Sequence, residues 1–172
     1  EHAFIYDDGI FMDLGVIGQQ RSAGLDINNH GEVAGWALDI TGNRHAILYS
    51  DGIMKDIGTL GGSSSKAEAI NDWGQVTGSS HTRSGAGHAF IYSNGLMVDL
   101  NTLIDPSSGW VLSTGYDINN AGQIVWLGIR TDITEPFLLT PIPEPCTITL
   151  LALGVILAGR KRYRHNIPMR KM

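Results

Sequence analysis

Three observations predict an all-β fold built from repeated four-stranded antiparallel units. The chain resembles itself at an offset of 43 residues, each copy carries an Asp-Gly or Asn-Gly turn signal, and no stretch before Pro143 keeps an apolar period of 3.6 residues. His2-Ala3-Phe4-Ile5-Tyr6 returns as His45-Ala46-Ile47-Leu48-Tyr49 and as His88-Ala89-Phe90-Ile91-Tyr92. Asp8-Gly9, Asp51-Gly52 and Asn94-Gly95 keep the same spacing, as do Asp13, Asp56 and Asp99. A second block recurs as Asp26-Ile27-Asn28-Asn29-His30-Gly31, Ala69-Ile70-Asn71-Asp72-Trp73-Gly74 and Asp117-Ile118-Asn119-Asn120-Ala121-Gly122, now at offsets of 43 and 48, which places an insertion of about five residues in the 101–109 loop.

The middle copy reads as four strands in order. His45–Tyr49 is short, apolar and rich in β-formers, and Asp51-Gly52 supplies the positive φ angles of a tight hairpin. The return strand is Ile53–Ile57, in which alternation puts Ile53, Lys55 and Ile57 on the face opposite Met54 and Asp56. Gly58–Ser65 is rich in glycine and serine and reads as a connection rather than an element. Ala67–Asn71 is the third strand, Asn71-Asp72-Trp73-Gly74 a turn in which the Asn side chain bonds its own backbone two residues on, and Gln75–Ser79 the fourth strand. Copies are expected over residues 2–44, 45–87 and 88–135, with a degenerate first strand over 136–140 ending a body that spans 1–140. Four strands in about 43 residues is the size of a propeller blade, and because a ring needs about four blades the three copies are expected to form an incomplete, propeller-like array that further repeats or self-association would complete.

The repeats resemble the HAF family of bacterial extracellular proteins. Copy two matches it best, through Gly52-Ile53-Met54-Lys55-Asp56-Ile57-Gly58-Thr59-Leu60-Gly61-Gly62 and Ile70-Asn71-Asp72-Trp73-Gly74-Gln75-Val76-Thr77-Gly78. Copies one and three depart at Gly15-Val16-Ile17-Gly18 and Asn101-Thr102-Leu103-Ile104, and copy three has Trp126 where the others have Gly35 and Gly78.

The end of the chain has a different character. A Pro-rich linker over 141–145 holds Pro143-Glu144-Pro145, and Cys146–Gly159 is an uncharged run whose apolar weight lies in Leu150, Leu151, Leu153, Val155, Ile156 and Leu157. Arg160, Lys161, Arg162 and Arg164 follow, opening a basic tail over 160–172. Basic residues resist translocation, so this order predicts a membrane helix over 146–159, a cytoplasmic tail and a body on the far side. It resembles the PEP-CTERM sorting signal of Gram-negative, exopolysaccharide-producing bacteria. That resemblance implies an exported precursor tethered to the inner membrane, an exosortase as processing partner, and a final place at the cell surface, in the biofilm matrix or outside the cell. As a helix the run spans about 21 Å, short of the roughly 30 Å hydrocarbon core, which suits an address better than a permanent anchor. Glu1 is not an initiator Met and no export signal precedes His2, so a mature form or a fragment of a longer chain is expected.

The net charge of −5 conceals a division, because all 17 acidic side chains precede Cys146 with only six basic ones, a net charge of −11. Such a body argues against nucleic-acid binding. Cys146 is the only cysteine, so no disulfide within the chain and no CxxC site exists; it reads as a small apolar residue at a membrane edge, a lipidated or reactive thiol being the alternative.

No cofactor or metal is expected. His2, His45 and His88 share one position per copy and read as structural, since neighbouring copies stand too far apart to share an ion. Asp26-x-Asn28 and Asp117-x-Asn119 start like calcium loops but lack the later bidentate Glu, and Ala69 replaces the first ligand in copy two. Residues common to every copy are scaffold, and those that break the repeat are the candidates for function. Trp36, Trp73, Trp110 and Trp126 occupy non-equivalent places, and Trp73 and Trp110 are taken as candidate ligand contacts to extracellular polysaccharide. No nucleophile elbow, phosphate loop or HExxH occurs, so no catalytic residue is assigned and a non-enzymatic binding or matrix protein is expected. The alternatives are a glycan-active propeller enzyme with its catalytic residues in other repeats, and a permanently anchored surface protein.

Overall fold

A computed structural model describes residues 1–130, 133–141 and 163–165. Its elements are β1 (Phe4–Asp7), β2 (Ile10–Asp13), β3 (Ser22–Ile27), β4 (Val33–Leu38), β5 (Arg44–Ser50), β6 (Ile53–Gly58), β7 (Gly61–Ile70), β8 (Val76–Thr82), β9 (Gly87–Ser93), β10 (Leu96–Asp99), β11 (Val111–Ile118), β12 (Ile124–Arg130), β13 (Ile133–Pro141) and β14 (Tyr163–His165). They form four antiparallel sheets: the pair β1–β2 and three four-stranded meanders, β3 to β6, β7 to β10 and β11 to β14. Among the described residues the only helical pieces are two single 3-10 turns, Leu100–Thr102 and Pro106–Ser108, which hold the insertion expected between copies two and three. No helix among those residues is long and apolar enough to cross a membrane, and the helix expected over 146–159 lies outside them.

The sheets are out of phase with the sequence repeat. Each four-stranded sheet joins the second block of one copy to the His-Ala-Phe block of the next, so β3 and β4 of copy one pair onward to β5 and β6 of copy two. A copy is therefore never a sheet of its own, and pairing between copies is covalently staggered along the chain. The half-sheet β1–β2 is the remainder of this offset at the start of the described chain. At the other end β13, the degenerate His-Ala-Phe strand, pairs with β12 and takes β14 on its far edge.

The hairpin signals act as expected. Asp8-Gly9, Asp51-Gly52 and Asn94-Gly95 all have positive φ at both central residues, the type I′ geometry whose twist matches that of the flanking strands. Two details differ from simple alternation. Ile57 is buried although Ile53 and Lys55 are exposed, because the β5–β6 register skips from Ile47↔Asp56 to Ala46↔Gly58 and leaves Ile57 as the bulged residue. And Gly61–Ser65, expected as a loose connection, is the first half of β7. Glycine is required there by proximity: a Cβ at Gly62 would stand 2.5 Å from the carbonyl oxygens of His81 and Thr82.

The first strand of every four-stranded sheet carries a bulge at an equivalent place, between Gly24 and Asp26, Ala67 and Ala69, and Gly115 and Asp117. Opposite it the backbones close up, so that a Cβ on Gly35 or Gly78 would fall 2.0 Å from the carbonyl oxygen of Ala23 or Lys66. Copy three breaks this rule with Trp126, and β11 has a second bulge between Leu112 and Thr114 that changes the local register. The indole is buried and stacks on Phe137 with ring centroids 4.9 Å apart.

Burial is organised between sheets. Ala3, Leu14, Val33 and Tyr49 join the half-sheet to the first four-stranded sheet. Ala34, Ala46 and Ile57 pack on Ala67, Ile70, Val76, Phe90 and Tyr92 between the first and second, and Ala69, Ala89, Ile91 and Leu100 pack on Leu112, Ile118, Ile124, Trp126, Phe137 and Leu139 between the second and third. Small residues on one sheet meet large ones on the next, which lets the sheets approach closely.

Gly78→Ala is expected to lower the unfolding free energy in urea by about 1–3 kcal/mol, because the added methyl meets backbone that cannot yield. Gly87→Ala, whose Cβ would meet only the His81 Cδ2 at 3.8 Å, is the control and should change it by less than about 0.5 kcal/mol.

Candidate functional site

At one end of the sheets lie the turns after β3, β7 and β11, and their side chains tie each sheet to the next. Asn28 Nδ2 donates to the Asn71 carbonyl at 3.1 Å, and Asn71 Nδ2 to the Asn119 carbonyl at 3.0 Å. Within each turn the same Asn accepts two backbone N–H groups through Oδ1, for example those of Trp73 and Gln75 at 3.0 Å. Asp72 lies between its neighbours, accepting from the Asn29 backbone and side chain and from Asn120 Nδ2, while the Asp72 N–H donates to Asn120 Oδ1. These bonds hold the Asp72 carboxyl below the usual aspartate range, the Asn29 backbone N–H contributing most and the Asn120 and Asn29 side chains next.

At the opposite end a serine makes the corresponding tie. Ser65 Oγ accepts from the Ala46 N–H at 2.8 Å and donates to the Gly58 carbonyl at 2.6 Å, and Ser22 does the same with Ala3 and Gly15. The repeated histidines have a local partner. His2, His45 and His88 each bond through Nδ1 to Asp13, Asp56 and Asp99 at 2.8, 2.7 and 2.6 Å, and the second carboxylate oxygen of each Asp accepts a backbone N–H two residues on. Asp26 resembles a calcium ligand only in sequence; its carboxylate accepts the N–H groups of Ile27 and, from the next sheet, Ile70. Among the described residues no three His, Cys, Asp or Glu side chains converge as metal ligands would.

On this frame Trp73 stands out. Its side chain is 74 % exposed at the tip of the β7–β8 turn, yet it is fixed, because Nε1 donates to the Asn120 carbonyl at 2.9 Å. Beside it runs an open groove of about 380 Å3 lined by His30, Glu32, Ser50, Asp51 and Asp72. Glu32 is also held, accepting from Asn28 Nδ2 at 2.6 Å and Ser50 Oγ at 2.9 Å. A flat apolar face next to oriented carboxylates suits a ligand with one apolar face and a rim of hydroxyl donors.

The other tryptophans are engaged elsewhere. Trp110, expected as a ligand contact, is half-buried, edge-on to Phe137 at 4.5 Å and covered by the Arg130 guanidinium at 4.9 Å, so packing against the third sheet accounts for it. Trp126 is core, and Trp36 carries the Arg44 guanidinium at 4.6 Å. Pro143, Glu144 and Pro145, the apolar residues Cys146 to Leu157, and Arg160, Lys161 and Arg162 lie outside the described residues. Arg164, expected in the cytoplasmic tail, is placed on β14 opposite Thr140.

Single-residue reading finds Trp73 but misses Glu32 and His30, although the turns hold the signal. Aligned, they read Asn28-Asn29-His30-Gly31-Glu32, Asn71-Asp72-Trp73-Gly74-Gln75 and Asn119-Asn120-Ala121-Gly122-Gln123, and His30, Glu32, Asp72 and Trp73 on the groove stand where the turns differ. No protein-family model, curated protein or solved structure matches this chain.

Asn71→Ala removes a buried side chain that serves two backbone donors and one carbonyl of the next sheet, and should cost about 2–3 kcal/mol in a denaturant titration. Because the Asp72 pKa is lowered on folding, its contribution is full above the ordinary aspartate range and is lost as pH falls through the folded value. The thermal midpoint should therefore drop below about pH 4, and less steeply in Asp72→Asn.

Proposed function

We propose that this chain is a non-enzymatic, exported repeat protein of the bacterial surface that binds neutral polysaccharide through the Trp73 groove. The observation that carries the reading is an exposed indole fixed by a backbone carbonyl beside oriented carboxylates. An indole that is already held loses little freedom when a ring stacks on it, so the apolar contact is retained as affinity. The acidic rim favours hydroxyl donors and disfavours uronates. Successive four-stranded meanders packed face to face support a propeller-type array of the HAF kind, with β1–β2 as the part that another repeat would extend.

Delivery is assigned to the PEP-CTERM-like segment, with an exosortase as the processing partner and the inner membrane as a transient tether. What supports it is the order of Pro143-Glu144-Pro145, apolar run and basic cluster, together with a run too short for a comfortable span. Sorting requires Tyr163–His165 to leave β13, where three residues pair along one edge, so the strand-paired and membrane-inserted tails are mutually exclusive states.

Two measurements test these readings. On a glycan array and by calorimetry the body should bind neutral oligosaccharide, and Trp73→Ala should weaken it about tenfold with little change in stability. Undiminished binding would remove the groove from the account, and hydrolysis lost on changing one carboxylate would favour a glycan-active enzyme. Mass spectrometry of the mature protein from a host with an exosortase should show a C-terminus cut near Pro143–Pro145, whereas an intact tail would favour permanent anchoring.

A further inference from the structure

We infer that a second site, at the end of β7 and β8 remote from Trp73, binds an acidic saccharide, one carrying carboxylate or sulfate groups. An open cleft of about 540 Å3 lies there, within the range of small-molecule sites, which is about 300–1,000 Å3. Strands of three sheets build it, with Arg44 from β5, Ser64 and Lys66 from β7, Ser79 and His81 from β8 and Thr114 from β11.

Charge is the first argument. Before Cys146 the chain has 17 acidic and six basic side chains, yet two of those six line this cleft and no carboxylate does. Lys66 is partly neutralised by Glu68, 2.8 Å from its Nζ. Arg44 makes no ion pair among the described residues, and its guanidinium rests on the Trp36 ring at 4.6 Å. Stacking fixes the guanidinium plane and leaves its edge donors free, the geometry that takes a carboxylate or sulfate through two parallel bonds.

The hydroxyls supply the second argument. Ser65 and Ser80 are committed to backbone groups, Ser65 to Ala46 and Gly58 and Ser80 to Leu60. Ser64 Oγ bonds His81 Nδ1 at 3.0 Å and so orients the imidazole. Ser79 and Thr114, by contrast, line the cleft with hydroxyls that bond nothing among the described residues. A cation, an oriented imidazole and unspent hydroxyls match a ligand that is both anionic and polyhydroxylated, while a bare anion would leave the hydroxyls unused.

Position in the repeat is the third. Arg44 stands where the next copy has Gly87, Lys66 where the others have Ala23 and Thr114, and His81 where the others have Leu38 and Ile129. The scaffold therefore does not require these side chains, and each is present in one copy only. The site is independent of the Trp73 groove, whose carboxylates select against the same ligand.

The full chain would be titrated calorimetrically with a trimer of galacturonic acid, with its methyl ester, and with inorganic sulfate. The acid should bind, weaken as salt rises, and lose about tenfold in Arg44→Gln while remaining unchanged in Trp73→Ala. Thr114→Val, which adds no charge and lies away from the Trp36 stack, should also weaken it and serves if Arg44→Gln unfolds. Equal binding of the methyl ester would overturn the charge assignment, and equal binding of sulfate would overturn the saccharide. Loss in Trp73→Ala alone would return the binding to the first groove.

Discussion

A small polar side chain that satisfies backbone groups of a neighbouring sheet is the constraint on which this structure depends. Asn28 and Asn71 do this at one end of the sheets and Ser22 and Ser65 at the other. Sheets that pack through alanines gain modest apolar area per contact, so burial alone leaves their relative position weakly specified. The amide and hydroxyl ties add direction. They satisfy turn carbonyls and strand-end N–H groups that no ladder reaches, and a sheet displaced by one residue would forfeit them together.

The offset between copy and sheet gives those ties their leverage. A sheet assembled from two consecutive copies links its neighbours through the backbone as well as through side chains. The bulge opposite Gly35 and Gly78 sets how closely the strands within a sheet approach, and Trp126 shows what happens when that limit is relaxed. There the third sheet admits an indole, recruits Phe137 and Trp110 around it, and requires Gly128, where a Cβ would stand 2.3 Å from the ring. The departure is a change of packing.

Much of this was legible in the residues. The type I′ hairpins followed from Asp-Gly and Asn-Gly, the all-β class from the repeat, and the exposure of Trp73 from its place in a turn. The phase of the sheets was not, because a repeat has no inherent starting point and either pairing buries the same faces. Gly61–Ser65 is a strand where its composition suggests a connection, because glycine serves two purposes: local composition reports freedom, whereas this strand uses the missing Cβ for close approach to His81 and Thr82. The two clefts were invisible singly, since Glu32, Arg44 and Lys66 are ordinary surface residues until the copies are aligned and the sheets stacked.

The asparagine ladder also has a direction: each amide reaches toward the later copy, from Asn28 to Asn71 and from Asn71 to Asn119. Its first carbonyl, at Asn28, and its last amide, at Asn119, are therefore a complementary head and tail, and one more copy inserted anywhere meets the same chemistry on both sides. Such an array grows by duplication without redesign. Under tension applied through the two ends of the chain, it would surrender one sheet at a time, each step releasing length while the remaining ties hold.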